Sequence, residues 1–172
     1  MKTRLVAQIP RLTGLAPVIA RGTRLVVLGS FPGEASLAAG QYYGHPRNHF
    51  WPILSALFGI DLGALAYDER LRVVVARGVG IWDVYASCRR EGSLDSAIRD
   101  AEPNDLARLT REAPHLRAIV HNGGESARSM KLTRSLGVDV FRVPSSSPAN
   151  ASWNLARKVE ARRAVFVAAG VA

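Results

Sequence analysis

Between Gly29 and Trp51 the chain gathers side chains that rarely share a connecting loop. Gly29-Ser30-Phe31-Pro32-Gly33 comes first, then Tyr42-Tyr43-Gly44-His45-Pro46-Arg47-Asn48-His49-Phe50-Trp51. The first motif follows the apolar run Leu25–Leu28, and its two glycines and proline make a turn whose backbone can come close to a ligand. The rings, amides and imidazoles of the second suit a pocket for a flat, polar, uncharged group. Rings stack on such a group and amides read its edge. Tyr43 is the stronger candidate for stacking and Tyr42 the weaker; the other reading of each is a core ring with its hydroxyl satisfied. Asn48 stands where a helix starts, so it either caps that helix or offers its amide to a water molecule or a developing charge. His45 and His49 could orient water or touch an anion, or be ordinary surface histidines.

Three further groups follow apolar runs. Asn122 ends the run Ala118–His121 and precedes Gly123-Gly124. Its amide can donate to a carbonyl and accept from a neighbouring ring N–H, or satisfy the turn backbone. Ser145-Ser146-Ser147-Pro148-Ala149-Asn150 reads as the opening of the last helix, with Ser147 as cap and Pro148 in the first turn. Hydroxyls and free N–H groups there would make an anion site. Asp83, in Ile81-Trp82-Asp83, is either a general base or a carboxylate that steadies a turn or pairs with an arginine. The chain has no phosphate-cradling loop, nucleophile elbow or metal-ligand spacing.

These groups need a scaffold that brings four loops to one edge. Leu25–Leu28, Val79–Val84, Ala118–Val120 (extended by His121) and Val138–Val143 have strand length and do not alternate, as in strands covered on both faces. Helical patterns fall between them: Asn48–Phe58, with Phe50, Trp51 and Phe58 as core, then Leu65–Ala76, and Asn104–Arg111 started by Pro103-Asn104. Gly124–Leu136 stops at Gly137, and the last runs from about Pro148 to Val167. This order predicts an α/β fold, a three-layer α/β/α sandwich with a central four-stranded, mainly parallel sheet. Ligands of such sheets bind at the carboxyl ends of the strands. The loops after Leu28, Val84 (Tyr85 to Ser93), His121 and Val143 should therefore share a rim. Residues 1–172 read as one domain, with 1–20 as an N-terminal helix or arm.

The formal net charge is +9, supplied mainly by arginine, with Lys2, Lys131 and Lys158 the only lysines. Such a field concentrates polyanions. No apolar run approaches the roughly 20 residues of a membrane span, and the N-terminus lacks an export signal. Cys88 stands alone, which excludes an intrachain disulfide and a thiolate-bound cluster.

Taken together, the motifs resemble the uracil-DNA glycosylase superfamily from Leu25 to Phe166. Gly-Ser-Phe-Pro-Gly, the Tyr-Tyr-Gly-His-Pro-Arg-Asn-His-Phe-Trp segment, Trp-Asp-Val and Pro-Ser-Ser-Ser-Pro-Ala-Asn are most similar to its hypoxanthine-DNA (deoxyinosine) glycosylase branch. Mismatch-specific uracil/thymine relatives carry Gly-Ile-Asn-Pro-Gly in the first motif, where the Asn holds the hydrolytic water. Phe31 stands there in this chain, which counts against ordinary uracil excision. The resemblance implies that Asn48 supplies the catalytic amide with His45 beside it. It makes Tyr43 the pocket aromatic, with Asn122 and Gly29-Ser30-Phe31 binding the base. Ser145, Ser146, Ser147, Pro148 and Asn150 would grip the strand and wedge the duplex open. The implied activity is monofunctional hydrolysis of an N-glycosyl bond, leaving an abasic site, without cofactor or metal. No lysine lies in the rim motifs, so no Schiff-base step is expected. The implied partner is double-stranded DNA with a damaged base, met by a monomer in the cytoplasm at the nucleoid and not at a membrane. A uracil or xanthine glycosylase, a silent DNA-binding module and a nucleoside hydrolase remain as alternatives.

Overall fold

The computed structural model describes residues 8–172. Strands β2 (Leu25–Gly29), β3 (Val79–Asp83) and β6 (Ala118–Asn122) are buried at every residue, which is why each opens on an unbroken apolar run rather than an alternating one. With β7 (Asp139–Val143) they form a four-stranded sheet in the order β3-β2-β6-β7, parallel throughout. β7 is the open edge, and Asp139, Phe141 and Arg142 are exposed there. The chain winds from β2 to one side of the sheet and later from β6 to the other. The loops after β2 and β6 therefore part in opposite directions and leave a crevice between their carboxyl ends.

A second sheet was not expected from the sequence. β1 (Arg11–Thr13), β4 (Tyr85–Arg89) and β5 (Arg99–Pro103) pair antiparallel in the order β1-β4-β5. Residues 85–89, expected as rim loop, are thus a strand, and part of the expected N-terminal helix or arm is another. Residues 1–7 of that arm lie outside the described residues. Val18 also bridges Ile81, extending the main sheet beyond β3. β5 hides in the sequence because Arg99-Asp100-Ala101-Glu102-Pro103 is largely exposed and carries no apolar face. Arg11 and Arg89 reach Asp100 at 2.7 and 3.3 Å, but the Asp100 side chain is 61% exposed, so these pairs add little stability.

Helices α1 (Glu34–Ala39), α2 (Phe50–Phe58), α3 (Tyr67–Ala76), α4 (Arg108–Glu112), α5 (Gly124–Ala127), α6 (Met130–Arg134) and α7 (Leu155–Ala168) surround the sheet. All differ from expectation. α1 lies in the stretch after Leu28 expected as rim loop, and α3 starts at Tyr67 rather than Leu65. α2 starts two residues late because Asn48 bonds the N–H of Phe50 from outside the helix. Asn104 does not start a helix; its backbone N–H donates to Val84 O and its amide to Asp83 O, so α4 begins only at Arg108. The span 124–136 is two short helices, α5 and α6, linked through buried His121, whose ring bonds Ser126 and Thr133 at 2.8 Å each. α7 begins at Leu155, where Asn154 Oδ1 accepts the Arg157 N–H, and not at Pro148. One apolar core joins Leu25–Leu28 and the other inner-sheet residues to Phe50, Trp51, Leu54 and Phe58 of α2 and Phe166 of α7.

Candidate active site

At the crevice a cavity of about 790 Å³ opens, lined by residues 29–36, Tyr42, Tyr43, His45, Asn48, Asp83, residues 93–96, 122–124 and 142–150, and Trp153. The expected site residues therefore meet in one place, although of the expected rim segment Tyr85 to Ser93 only Ser93 reaches it. Gly29 makes the floor. A Cβ there would overlap Asp83 Oδ1 and stand 3.2 Å from the Tyr43 hydroxyl, so glycine lets strand β2 end beneath both groups without displacing either.

Tyr43 holds a left-handed backbone (φ +54°), which turns its ring onto Phe50 with centroids 3.8 Å apart and planes 15° from parallel. One ring face is thus supported, and the hydroxyl accepts from Asn122 Nδ2 at 3.2 Å. Burial, with Asp83 nearby, holds that phenol protonated well above its ordinary range. Tyr42 is buried and takes the core role. Its hydroxyl lies 2.8 Å from Ala16 O and 3.1 Å from Leu15 O, tying the N-terminal segment to this wall.

Asn48 combines features of both readings offered for it. Its Oδ1 accepts the N–H of Phe50 at 2.9 Å, while Nδ2 has no partner among the described residues. His45 is oriented by the Arg47 N–H donating to Nδ1 at 3.0 Å, so the proton of its neutral ring sits on Nε2.

Asn122 is fully engaged. Oδ1 accepts from Ser146 N at 3.0 Å and from Arg162 Nη2 at 2.9 Å, and Nδ2 donates to Ser146 Oγ at 2.9 Å as well as to Tyr43. Both its protons and both its lone pairs are spent, so it meets a base edge only by exchanging one of these bonds. Arg162, from α7, also donates to Pro144 O at 2.6 Å. Burial lowers its pKa to about 10 and leaves it charged at neutral pH.

The serine segment is a loop and not the start of a helix, so a helix-terminus anion site is absent from it. Ser147 Oγ accepts the N–H of Ala149, Asn150 N–H closes a turn onto Ser147 O, and Asn150 Nδ2 donates to Ser145 O. Pro148 sits inside that turn. Lys158, outside every motif, comes to the back of this loop. It is 1% exposed and Nζ lies 3.2 Å from His49 Nδ1 and 3.4 Å from Ser147 O, outside the cavity lining. Burial and Arg162 lower its basicity, and burial and Lys158 lower that of His49.

Phe31 is buried with the Arg90 guanidinium 5.3 Å over its ring, and Arg90 donates to Pro32 O and Gly92 O. Ser30 donates to Asp95 Oδ1 at 2.6 Å. Asp95 and Arg90 gave no signal in the sequence, since each lies in a polar stretch of ordinary composition. Asp83 neither steadies a turn through its side chain nor pairs with Arg90. Its Oδ2 is buried without a partner among the described residues, and burial raises its pKa to about 7, helped by Asp95 and opposed by Arg90.

Known proteins are similar to this chain in sequence and in fold. A solution NMR structure from Methanosarcina acetivorans, assigned provisionally to the uracil DNA glycosylases, superposes with a TM-score of 0.84 at 36% identity, covering 93% of this chain and 99% of that one. A Methanosarcina barkeri protein named hypoxanthine DNA glycosylase is 39% identical over 137 residues, 80% of this chain and 87% of its own length. A protein of the same name from M. acetivorans is 37% identical over 147 residues, 86% of this chain and 93% of its own. Residues 16–168 match the family model of the Uracil DNA glycosylase superfamily, and the chain belongs to that superfamily.

Proposed function

We propose that the protein is a DNA glycosylase that releases hypoxanthine from deoxyinosine sites and leaves an abasic site. The observation that carries this reading is the cavity at the crevice. It has glycine at its floor, a supported tyrosine ring on one wall, and the amino group of Asn48 and the Nε2–H of His45 on another. Its volume lies within the roughly 300–1,000 Å³ of ligand sites. The choice of base rests on Phe31, which offers no amide where uracil-excising relatives have one, and on the names of the two Methanosarcina relatives.

The nucleotide leaves the stack, at a cost of a few kcal/mol that is least for a poorly paired base. Its base lies against Tyr43, above Gly29. As the glycosidic bond stretches, the sugar gains positive charge and the base negative charge, and the fixed dipoles of the cavity stabilise both. Asn48 Oδ1 keeps a second lone pair and Nδ2 both protons, so the amide can hold the attacking water with His45 alongside. Asn122 binds the base after releasing Tyr43 or Ser146. The serine loop contacts the strand through backbone and hydroxyl groups. One chain holds the whole cavity, so a monomer suffices, and a DNA substrate puts it in the cytoplasm at the nucleoid.

The test is single-turnover base release from duplexes carrying one deoxyinosine or one deoxyuridine, read as alkali-labile strand breaks. Faster release at deoxyinosine is expected, and Asn48→Ala should slow it by about 10²-fold while duplex binding persists. Release mainly at deoxyuridine would move the protein to the uracil branch. Binding without release at either would make it a non-catalytic DNA-binding module.

A further inference from the structure

The cavity contains an acid that the steps above leave idle. Asp83 ends β3 only 5% exposed, lines the cavity, and has Oδ2 buried with no hydrogen-bond partner among the described residues. Burying a carboxylate without a partner is costly, so its persistence calls for a proton or a ligand. Its other oxygen and the Tyr43 hydroxyl both border the place left by the missing Cβ of Gly29. The charged and titratable groups around it come from three sides. Asp95, held by Ser30, repels its negative form, and Arg90 favours it. Tyr42 and Tyr43 are kept as neutral phenols by burial. The balance leaves the carboxyl protonated up to about pH 7.

We propose that Asp83 is the acid of base release: its carboxyl donates a hydrogen bond to an acceptor atom of the flipped purine and passes that proton to it as the glycosidic bond breaks. This rests on the glycosylase reading. The electron pair of the bond leaves with the base, and the Asp83 proton neutralises it. Water adds to C1′ of the sugar and gives a proton to solvent, from which Asp83 is protonated again. Protonating a leaving group in this way contributes about 10²–10⁴-fold to a rate.

The experiment measures single-turnover release from a deoxyinosine duplex from about pH 5 to 9 for the parent, Asp83→Asn and Asp95→Asn. The parent rate should fall above about pH 7. Asp83→Asn should be about 10²-fold slower at pH 6 and lack that falling limb. Asp95→Asn should keep the limb but move it to lower pH, because losing a negative neighbour makes Asp83 easier to ionise. A folded, DNA-binding Asp83→Asn with the parent rate and limb overturns the proposal. If Asp83→Asn does not fold, an unmoved limb in Asp95→Asn overturns it alone. A parent that releases base with no falling limb overturns the role of Asp83 only. A parent that releases no base overturns the glycosylase reading itself and this role with it.

Discussion

Asp83 binds its proton more tightly in the folded chain than in the unfolded one, so it acts on stability as well as on chemistry. Its pKa moves from an ordinary 3.8 to about 7, mainly through burial. Between those values the unfolded chain ionises Asp83 while the folded chain keeps the proton. Stability therefore falls as pH rises from about 4 to 7, and the loss is complete above the folded value. At about 1.4 kcal/mol per unit, the ceiling is about 4 kcal/mol. Asp83→Asn removes this titration, so it should melt above the parent at about pH 8 and lose the advantage towards pH 4, as read by calorimetry. His121, with its pKa lowered by burial to about 4, loses stability in the opposite direction, as pH falls below its ordinary 6.5. That loss is common to both proteins and cancels. Equal melting at every pH would show that Asp83 ionises as freely in the fold as in the unfolded chain. The sequence offered Asp83 as a rim acid but could not show its isolation. That depends on Arg90 turning to backbone carbonyls and on Asp95 arriving from a separate loop.

Among the elements, the link between β6 and the serine loop decides the shape of the cavity wall. Asn122 joins four groups: Tyr43, the N–H and hydroxyl of Ser146, and Arg162. Asn122→Ala would leave a buried guanidinium and two loop groups short of partners. It should cost about 2–4 kcal/mol, or roughly 4–16 °C in Tm at this size. Ser147→Ala, which removes one exposed turn bond, should cost under about 0.5 kcal/mol. Equal losses for the two variants would show that the loop is held elsewhere. The strands that carry this wall are legible in the sequence because β2, β3 and β6 are buried on both faces and therefore open on unbroken apolar runs. β4 and β5 are not: β5 is largely exposed, and β4 buries only Ser87 and Cys88, so neither shows an apolar pattern. The start of α7 is misread for a different reason: Ser147-Pro148 and Asn154 both satisfy capping preferences, and the ties of Ser146 to Asn122 and to the His49 N–H hold the chain as a loop before it turns into the helix.

At the scale of the whole molecule, the charge of +9 has to be matched to what the cavity asks of DNA. The six described ion pairs lie on the surface and consume acids as well as bases, so they leave the excess positive charge unbalanced. Arg142 brings part of that excess to the cavity itself, where its guanidinium stands 3.1 Å from the position a Cβ would take on Gly124. Phosphate contacts release counterions, and log affinity then falls by about 0.9 per contact for each tenfold rise in salt. With about five contacts, raising salt from about 50 to 200 mM should weaken binding to undamaged duplex several-hundred-fold. Base release from a fully bound deoxyinosine duplex should change little over the same range, because a dry cavity screens its own charges from solvent ions. Fluorescence anisotropy on plain duplex, set beside single-turnover rates at saturating enzyme, separates the two. If binding barely responds to salt, the positive face does not meet the duplex, and the cavity must capture its base through contacts within its own walls.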